Sequence, residues 1–208
     1  MVVSGRGDLA LWKPKLPRKG DELSEWSSKT EISFCESNPS YFSPEDEMEI
    51  FVNVRNVKTL TVQVFEVRTI DYYTRLRSEV QGDICLDGLL PNEEQQLDLS
   101  HLLPWQKARI PVKVSPTTAA GRRGVFVVEV FERDTTCRAI LRKGYLRHVQ
   151  RVTSRGVEFT VLDERGTILH DASLMVMNLK GGVSKAQAPR SYAAIDGSGV
   201  IVVPFREP

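Results

Sequence analysis

Residues 124–163 read GVFVVEVFERDTTCRAILRKGYLRHVQRVTSRGVEFTVLD, and this stretch decides the fold. Gly124-Val125-Phe126-Val127-Val128-Glu129-Val130-Phe131 is almost wholly β-branched or aromatic, the composition that suits a pleated, buried strand. Glu132-Arg133-Asp134-Thr135-Thr136 turns the chain, and Cys137-Arg138-Ala139-Ile140-Leu141 runs back. Gly144-Tyr145-Leu146 then leads directly to Arg151-Val152, and Gly156-Val157-Glu158-Phe159-Thr160-Val161-Leu162 follows. With no long loop in between, this pattern predicts the end of one β-sandwich and the start of a second. Side chains alternate along a strand, so Phe126, Val128 and Val130 are expected to face inward and Val125, Val127 and Glu129 outward.

Working towards the N-terminus, Thr117 to Arg123 is a turn, and Ala108–Val114 is a strand whose Pro111 places it at an edge or a bulge. Residues 91–105 are polar with scattered Leu and are expected to form a loop, and Ile84 to Leu89 a short strand. Residues 71–80, DYYTRLRSEV, fit a short helix or a long crossing segment. Two runs, Glu47 to Val54 and Leu60 to Val67, alternate polar and apolar and are expected to pair with each other as an antiparallel hairpin. Glu31 to Cys35 is a further strand. This gives about seven strands between residues 31 and 146, the spacing of a sandwich. Residues 1–30 hold Pro14, Pro17 and several Gly and read as an extended arm, anchored by Trp12 and Trp26.

Beyond residue 146 the strands are predicted at 156–162, 172–178, 191–195 and 200–205, with Gly-containing turns at 163–166 and 196–199 and a polar loop at 180–190. A domain of about 60 residues buries only about 60% of its unfolded surface, so this second sandwich is expected to be incomplete or to lean on the first. The domains are therefore 1–30, an arm; 31–146, the first sandwich; and 147–208, a smaller second one. Tyr145, Leu146 and Val149 are the apolar residues of the short joint at 142–152 and are expected to be buried there.

Composition narrows the function. The 208 residues carry 28 basic and 27 acidic side chains, a net charge of +1, which gives no general attraction for nucleic acid. No apolar run approaches the roughly 20 residues of a membrane-spanning helix, so membrane insertion is not expected. The N-terminus has no apolar core of a signal peptide. Cys35, Cys85 and Cys137 cannot all pair within the chain; three reduced thiols are expected, with one disulfide and a free thiol as the alternative.

Several runs resemble the macroglobulin domains of alpha-2-macroglobulins and their bacterial relatives. Tyr41-Phe42-Ser43-Pro44-Glu45-Asp46 is similar to their opening Tyr-x-Pro-Gly motif, with Asp46 where Gly is usual. Leu60 to Val67, Ile84 to Leu89, Gly124 to Val130 and Ala139 to Leu146 follow the family's order. Gly156 to Ala172 and Ala194 to Pro204 are similar to the next module and to carboxypeptidase-regulatory-like sandwiches, with Leu169-His170 in place of a Pro-Leu pair and Ile195 in place of Thr. The resemblance implies an all-β fold of two tandem immunoglobulin-like (macroglobulin-type) antiparallel sandwiches, normally internal to a longer chain. It also implies a secreted or cell-envelope setting, whereas the missing signal peptide and odd cysteine count suit the cytoplasm. The Cys-Gly-Glu-Gln thioester run is absent, so protease trapping is not implied.

No catalytic, cofactor or metal constellation emerges. His101, His148 and His170 lack partners at ligand spacing; the neighbours His170 and Asp171 would point to opposite faces of a strand. Gly181-Gly182 lacks the ending of a phosphate loop. The one local charge bias is basic: Arg138, Arg142, Lys143, Arg147, Arg151 and Arg155, with His148 among them. The expectation is a non-enzymatic structural or protein-interaction module, its partner another domain of a longer chain or an acidic protein surface. The alternatives are a carbohydrate or small-ligand-binding sandwich using loops 91–105 and 180–190, or an accessory domain of a hydrolase.

Overall fold

The computed structural model describes residues 11, 28–103, 105–114, 122–177, 189–194 and 197–205. The reading of 1–30 as an arm, with Trp12 and Trp26, falls almost wholly outside the described residues, as does most of the 180–190 loop. The described chain forms thirteen strands and one helix of eight residues, α1 (Thr69–Leu76). Its contacts divide it into a unit of Met1–Val67 with Gln81–Lys143 and a unit of Arg68–Val80 with Gly144–Pro208.

The first unit is a sandwich of two sheets. One is β1 (Glu31–Phe34), β3 (Met48–Arg55) and β6 (Ala108–Val114), in the order β1-β3-β6. The other runs β2-β8-β7-β4-β5, from β2 (Tyr41–Phe42), β8 (Thr135–Lys143), β7 (Gly124–Glu132), β4 (Thr59–Val67) and β5 (Glu93–Asp98). All pairs are antiparallel except β2 with β8, where Tyr41 faces Arg142. β3 and β4 do not form the expected hairpin: consecutive in sequence, they lie in different sheets, and their alternating apolar sets meet across the core. The period-2 alternation of β3 sends Met48, Ile50, Val52 and Val54 inward, where they join Val112 and Val114 of β6. Leu60, Val62 and Val64 of β4, Phe126, Val128 and Val130 of β7 and Leu141 of β8 close the core from the other sheet.

Phe126, Val128 and Val130 thus face inward as expected, but Val125 and Val127 are buried as well. Their face is covered by the chain between α1 and β5: Arg138 Nη1 donates to the carbonyl of Ile84 at 3.0 Å, and Leu86 in that segment is buried. Residues 84–89 are therefore not the predicted strand. They form turns, with Leu89 N bonded to Leu86 O and Gly88 at φ +78. Residues 93–98, predicted as loop, form β5 instead. Glu93-Glu94-Gln95-Gln96-Leu97-Asp98 has strict alternation of half-buried and exposed positions, but its inward set is polar except for Leu97, which hides the period from a hydrophobicity reading. Asp46 fits the Ser43–Asp46 turn without glycine's freedom: its Oδ2 accepts from Ser43 N, and its own N–H donates to Ser43 O.

The second unit holds a sheet ordered β13-β10-β9, from β9 (Arg147–Thr153), β10 (Gly156–Leu162) and β13 (Val200–Val203), and a pair of β11 (Ser173–Val176) with β12 (Arg190–Ala193). β9 replaces what the sequence suggested was a joint. Tyr145, Leu146 and Val149 are exposed rather than buried, because they precede or lie on a sheet edge. The buried apolar residues of β9–β13 are Val161 and Ile201. Gly156 has φ +145, and a Cβ there would run into the carbonyl of Val203, so the β9–β10 turn requires glycine.

Replacing Phe126, 1% exposed at the centre of the first core, by Ala is expected to destabilise the chain by about 3–5 kcal/mol. Chemical denaturation giving a loss below about 1 kcal/mol would show that the site collapses around the cavity.

Candidate interaction surface

The six basic residues marked by the sequence fall into two groups. Arg138, Arg142 and Lys143 lie on β8 in the first unit; Arg147 and Arg151 lie on β9, and Arg155 in the turn after it, in the second. In the first group the positive charge is largely engaged. Arg138 stands directly opposite Glu129 in the β7–β8 register, and its Nε lies 2.7 Å from Glu129 Oε1. The guanidinium of Arg142 sits 5.7 Å from the centre of the Tyr41 ring, the side chain to which strand pairing brings it. Lys143 is buried.

The second group surrounds a carboxylate that the sequence reading did not single out. Glu158 lies on β10 opposite Arg151, and only 4% of it is exposed. Its Oε2 accepts from Arg151 Nη2 at 2.6 Å and Nε at 3.2 Å; its Oε1 accepts from Arg155 Nη2 at 2.7 Å and from the Thr153 hydroxyl at 3.2 Å. These bonds, Arg151's first and Arg155's next, hold the carboxyl at about 2 against an ordinary 4.5, and the opposing effect of burial does not offset them. Two exposed arginines thus share one carboxylate, and positive charge remains. Arg147, its guanidinium 5.8 Å from the Tyr145 ring centre, adds to it, because a stacked guanidinium keeps its in-plane donors. His148 is on the opposite face of β9, 6.0 Å from the ring of Phe159. Glu158 was legible only through pairing: nothing in the local run GVEFTVL says that its third residue meets two arginines from the preceding turn and strand.

A second charged cluster ties β1 to β3 in the first unit. Buried Arg55 donates through Nη2 to Glu31 Oε2 at 2.6 Å and lies 5.9 Å from the Trp105 ring centre, while Lys107 approaches the same oxygen at 3.4 Å. Burial raises the Glu31 carboxyl, but the charges of Arg55 and Lys107 outweigh it, and the net shift is downward. This cluster joins β1 to β3 through the Glu31–Arg55 pair.

Nucleophile and metal chemistry find no assembly among the described residues. No group of three or more His, Cys, Asp and Glu is placed to hold a metal. His170 Nδ1 lies 2.7 Å from the carbonyl of Gly197. An open groove of about 360 Å³, lined by Lys58, Thr59, Thr61, Phe131, Glu132 and Arg133, has its one carboxylate engaged with the N–H groups of Lys58 and Thr59. All three thiols are free: Cys85 is exposed, Cys35 donates to Asn53 Oδ1 at 3.1 Å, and burial pushes the Cys137 thiol up.

Comparison with known proteins agrees with this geometry. Residues 60–144 match the family model of the AbpF first immunoglobulin-like domain. Two crystal structures of native alpha-2-macroglobulin from Escherichia coli, spanning domains NIE-MG1 and MG0-NIE-MG1, each align with 86% of this chain at a TM-score of 0.52 and 10% identity, covering 89% and 58% of those chains. The fold is macroglobulin-type and immunoglobulin-like. The tandem all-β architecture that the sequence motifs implied is thus supported at the level of fold. Actin-binding protein F of Dictyostelium discoideum is 28% identical over 155 residues, 74% of this chain. The chain spans 6% of the length of that relative.

Two outcomes follow from the side chains. Glu158's carboxyl is depressed in the folded chain, so its contribution is present above the unfolded value near 4.5 and is lost as the pH falls towards about 2. Thermal melts of E158Q are therefore expected to show a shallower acid decline than the parent across that interval; superimposable slopes would show that the arginine bonds contribute nothing to folding. Among the thiols, native-state titration is expected to modify Cys85 fastest and Cys137 slowest, with all three reacting after denaturation without reductant. Recovery of a single thiol would establish a disulfide.

Proposed function

We propose that this chain is a non-catalytic structural or protein-interaction module that works as part of a longer protein, with a first sandwich over 31–146 and a smaller second one over 147–208. The observation that carries this is the similarity to Actin-binding protein F over most of this chain and a small part of that one, together with the immunoglobulin-like match at 60–144. A module of this kind binds through surface strands and loops on a rigid scaffold. The surface best suited to it is the excess positive charge of Arg147, Arg151 and Arg155, which calls for an acidic protein surface. The name of the relative makes the actin filament the first partner to test.

Co-sedimentation with actin filaments at low ionic strength is expected to carry the 208-residue chain into the pellet, and added salt to release it, because exposed charge pairs are screened. R147Q and R155Q are each expected to weaken the binding several-fold. A supernatant chain at every actin concentration would exclude the filament as partner, and binding indifferent to both substitutions would exclude this basic face.

A further inference from the structure

β9 ends its sheet, so one side of its backbone has no strand beside it. Which groups lie on that side follows from the hairpin. Only Ser154 and Arg155 separate β9 from β10, and Thr153 closes the turn opposite Gly156. The closing pair of a two-residue hairpin is hydrogen-bonded, and bonded and non-bonded pairs then alternate along the ladder. Thr153, Arg151, Val149 and Arg147 therefore turn their N–H and C=O groups towards β10, while those of Val152, Gln150 and His148 point outward. None of these three outward residues has a backbone partner on that side among the described residues. Six of the seven residues of β9 are exposed, Val149 by 57% and Val152 by 73%. The strand has no Pro, no Gly and an unbroken register, so its backbone is fit to pair, and its arginines select what pairs there.

We propose that β9 takes up an extended acidic segment of a partner protein as a fourth, antiparallel strand of its sheet. The proposal rests on the reading of the basic face as an interaction surface and specifies the form of the partner. Arg147, Val149 and Arg151 share one face of β9. On the free side they fall in the non-hydrogen-bonded pairs, where opposite Cα atoms are only about 4.5 Å apart and side chains meet most closely. The segment that fits therefore carries an acid, an apolar residue and an acid at alternate positions, opposite Arg151, Val149 and Arg147. The two residues between them exchange backbone bonds with Gln150 and His148. Arg151 contacts Glu158 through Nε and Nη2, so its Nη1 is the atom that meets an incoming carboxylate, and Arg147, against the Tyr145 ring, keeps its in-plane donors. A second copy of β9 fits poorly. Every register that pairs outward groups with outward groups gathers Arg147 and Arg151 of both copies on one face.

Fluorescence anisotropy of a labelled peptide with the core Thr-Asp-Thr-Val-Thr-Asp-Thr, titrated with the full 208-residue chain, is the test. Saturable binding is expected at low ionic strength, weakened by salt. N-methylation of the two Thr residues flanking Val removes the donors to Gln150 and His148 and is expected to abolish binding. N-methylation of the Val amide, which faces away from β9, is expected to change it by no more than about twofold. R147E is expected to weaken it by about tenfold or more. The N–H of Gln150 points away from β10, so Q150P breaks no bond inside the sheet, keeps every arginine and is expected to abolish peptide binding. Circular dichroism checks that Q150P is folded; should it not fold, the two methylated peptides decide the matter on the parent chain. R155Q, outside the paired strand, is expected to leave peptide binding unchanged while weakening a folded acidic surface. No saturable binding, equal binding by the two methylated peptides, or a folded Q150P that binds like the parent would each overturn the proposal. Binding that responds to R147E but to neither methylation nor Q150P would overturn the added strand and leave the basic-face reading standing; binding indifferent to R147E would overturn both. Self-association of the chain alone, seen by sedimentation velocity and abolished by Q150P, would give the edge to a second copy instead.

Discussion

The first sandwich depends on the burial of one strand on both faces. β7 lies between β4 and β8, with Phe126, Val128 and Val130 turned into the core and Val125 and Val127 buried on the reverse. A strand covered on both sides has no polar alternation to keep, which is why Gly124 to Phe131 reads as nearly continuous apolar sequence. Its neighbours need cover only one side and show the alternation that β7 lacks. The cover of the reverse face also accounts for the segment after α1, whose Ile84 carbonyl is bonded to Arg138. Glu129, the polar residue within β7, is acceptable there because Arg138 faces it across the ladder.

Charge in this chain is arranged pair by pair, not as a field. A run such as Arg138, Arg142, Lys143, Arg147, Arg151 and Arg155 looks like one basic patch when written in a line. Strand pairing hands each arginine of β8 a local partner: a carboxylate for Arg138 and an aromatic face for Arg142. Among the described residues Glu158 meets two exposed arginines, and Glu31 meets Arg55, Lys107 and Lys29, so positive charge exceeds the carboxylate at both places. The near balance of acidic and basic residues in the composition is consistent with this local neutralisation.

What the sequence disclosed and what it hid follow from the same physics. β3, β4 and β7 were legible because apolar residues fill their inward positions, so periodicity or continuity marks them directly. β5 and β9 were missed because their sets are polar: Glu93, Gln95, His148 and Gln150 occupy positions that a hydrophobic pattern cannot flag. Residues 84–89 erred the other way, since Ile84, Leu86 and Leu89 alternate loosely but close turns around Gly88. The basic residues were named correctly as residues, yet their division between β8 and β9 and the carboxylate at Glu158 required the strand register.

The wiring of the first sandwich also sets a tempo. Met48 pairs with Val114 and Thr61 with Phe131, in each case across more than sixty intervening residues, so the core forms only after long loops have closed. The one tight hairpin at its centre, β7–β8, offers little head start: its turn places Arg133 at φ 52, a conformation in which Asn or Gly would be easier. Such a topology belongs to the slow end of folding, and apolar strands remain uncovered while it proceeds. In that interval the charged edge of β5, which ends the five-stranded sheet, limits what can extend that sheet into an aggregate.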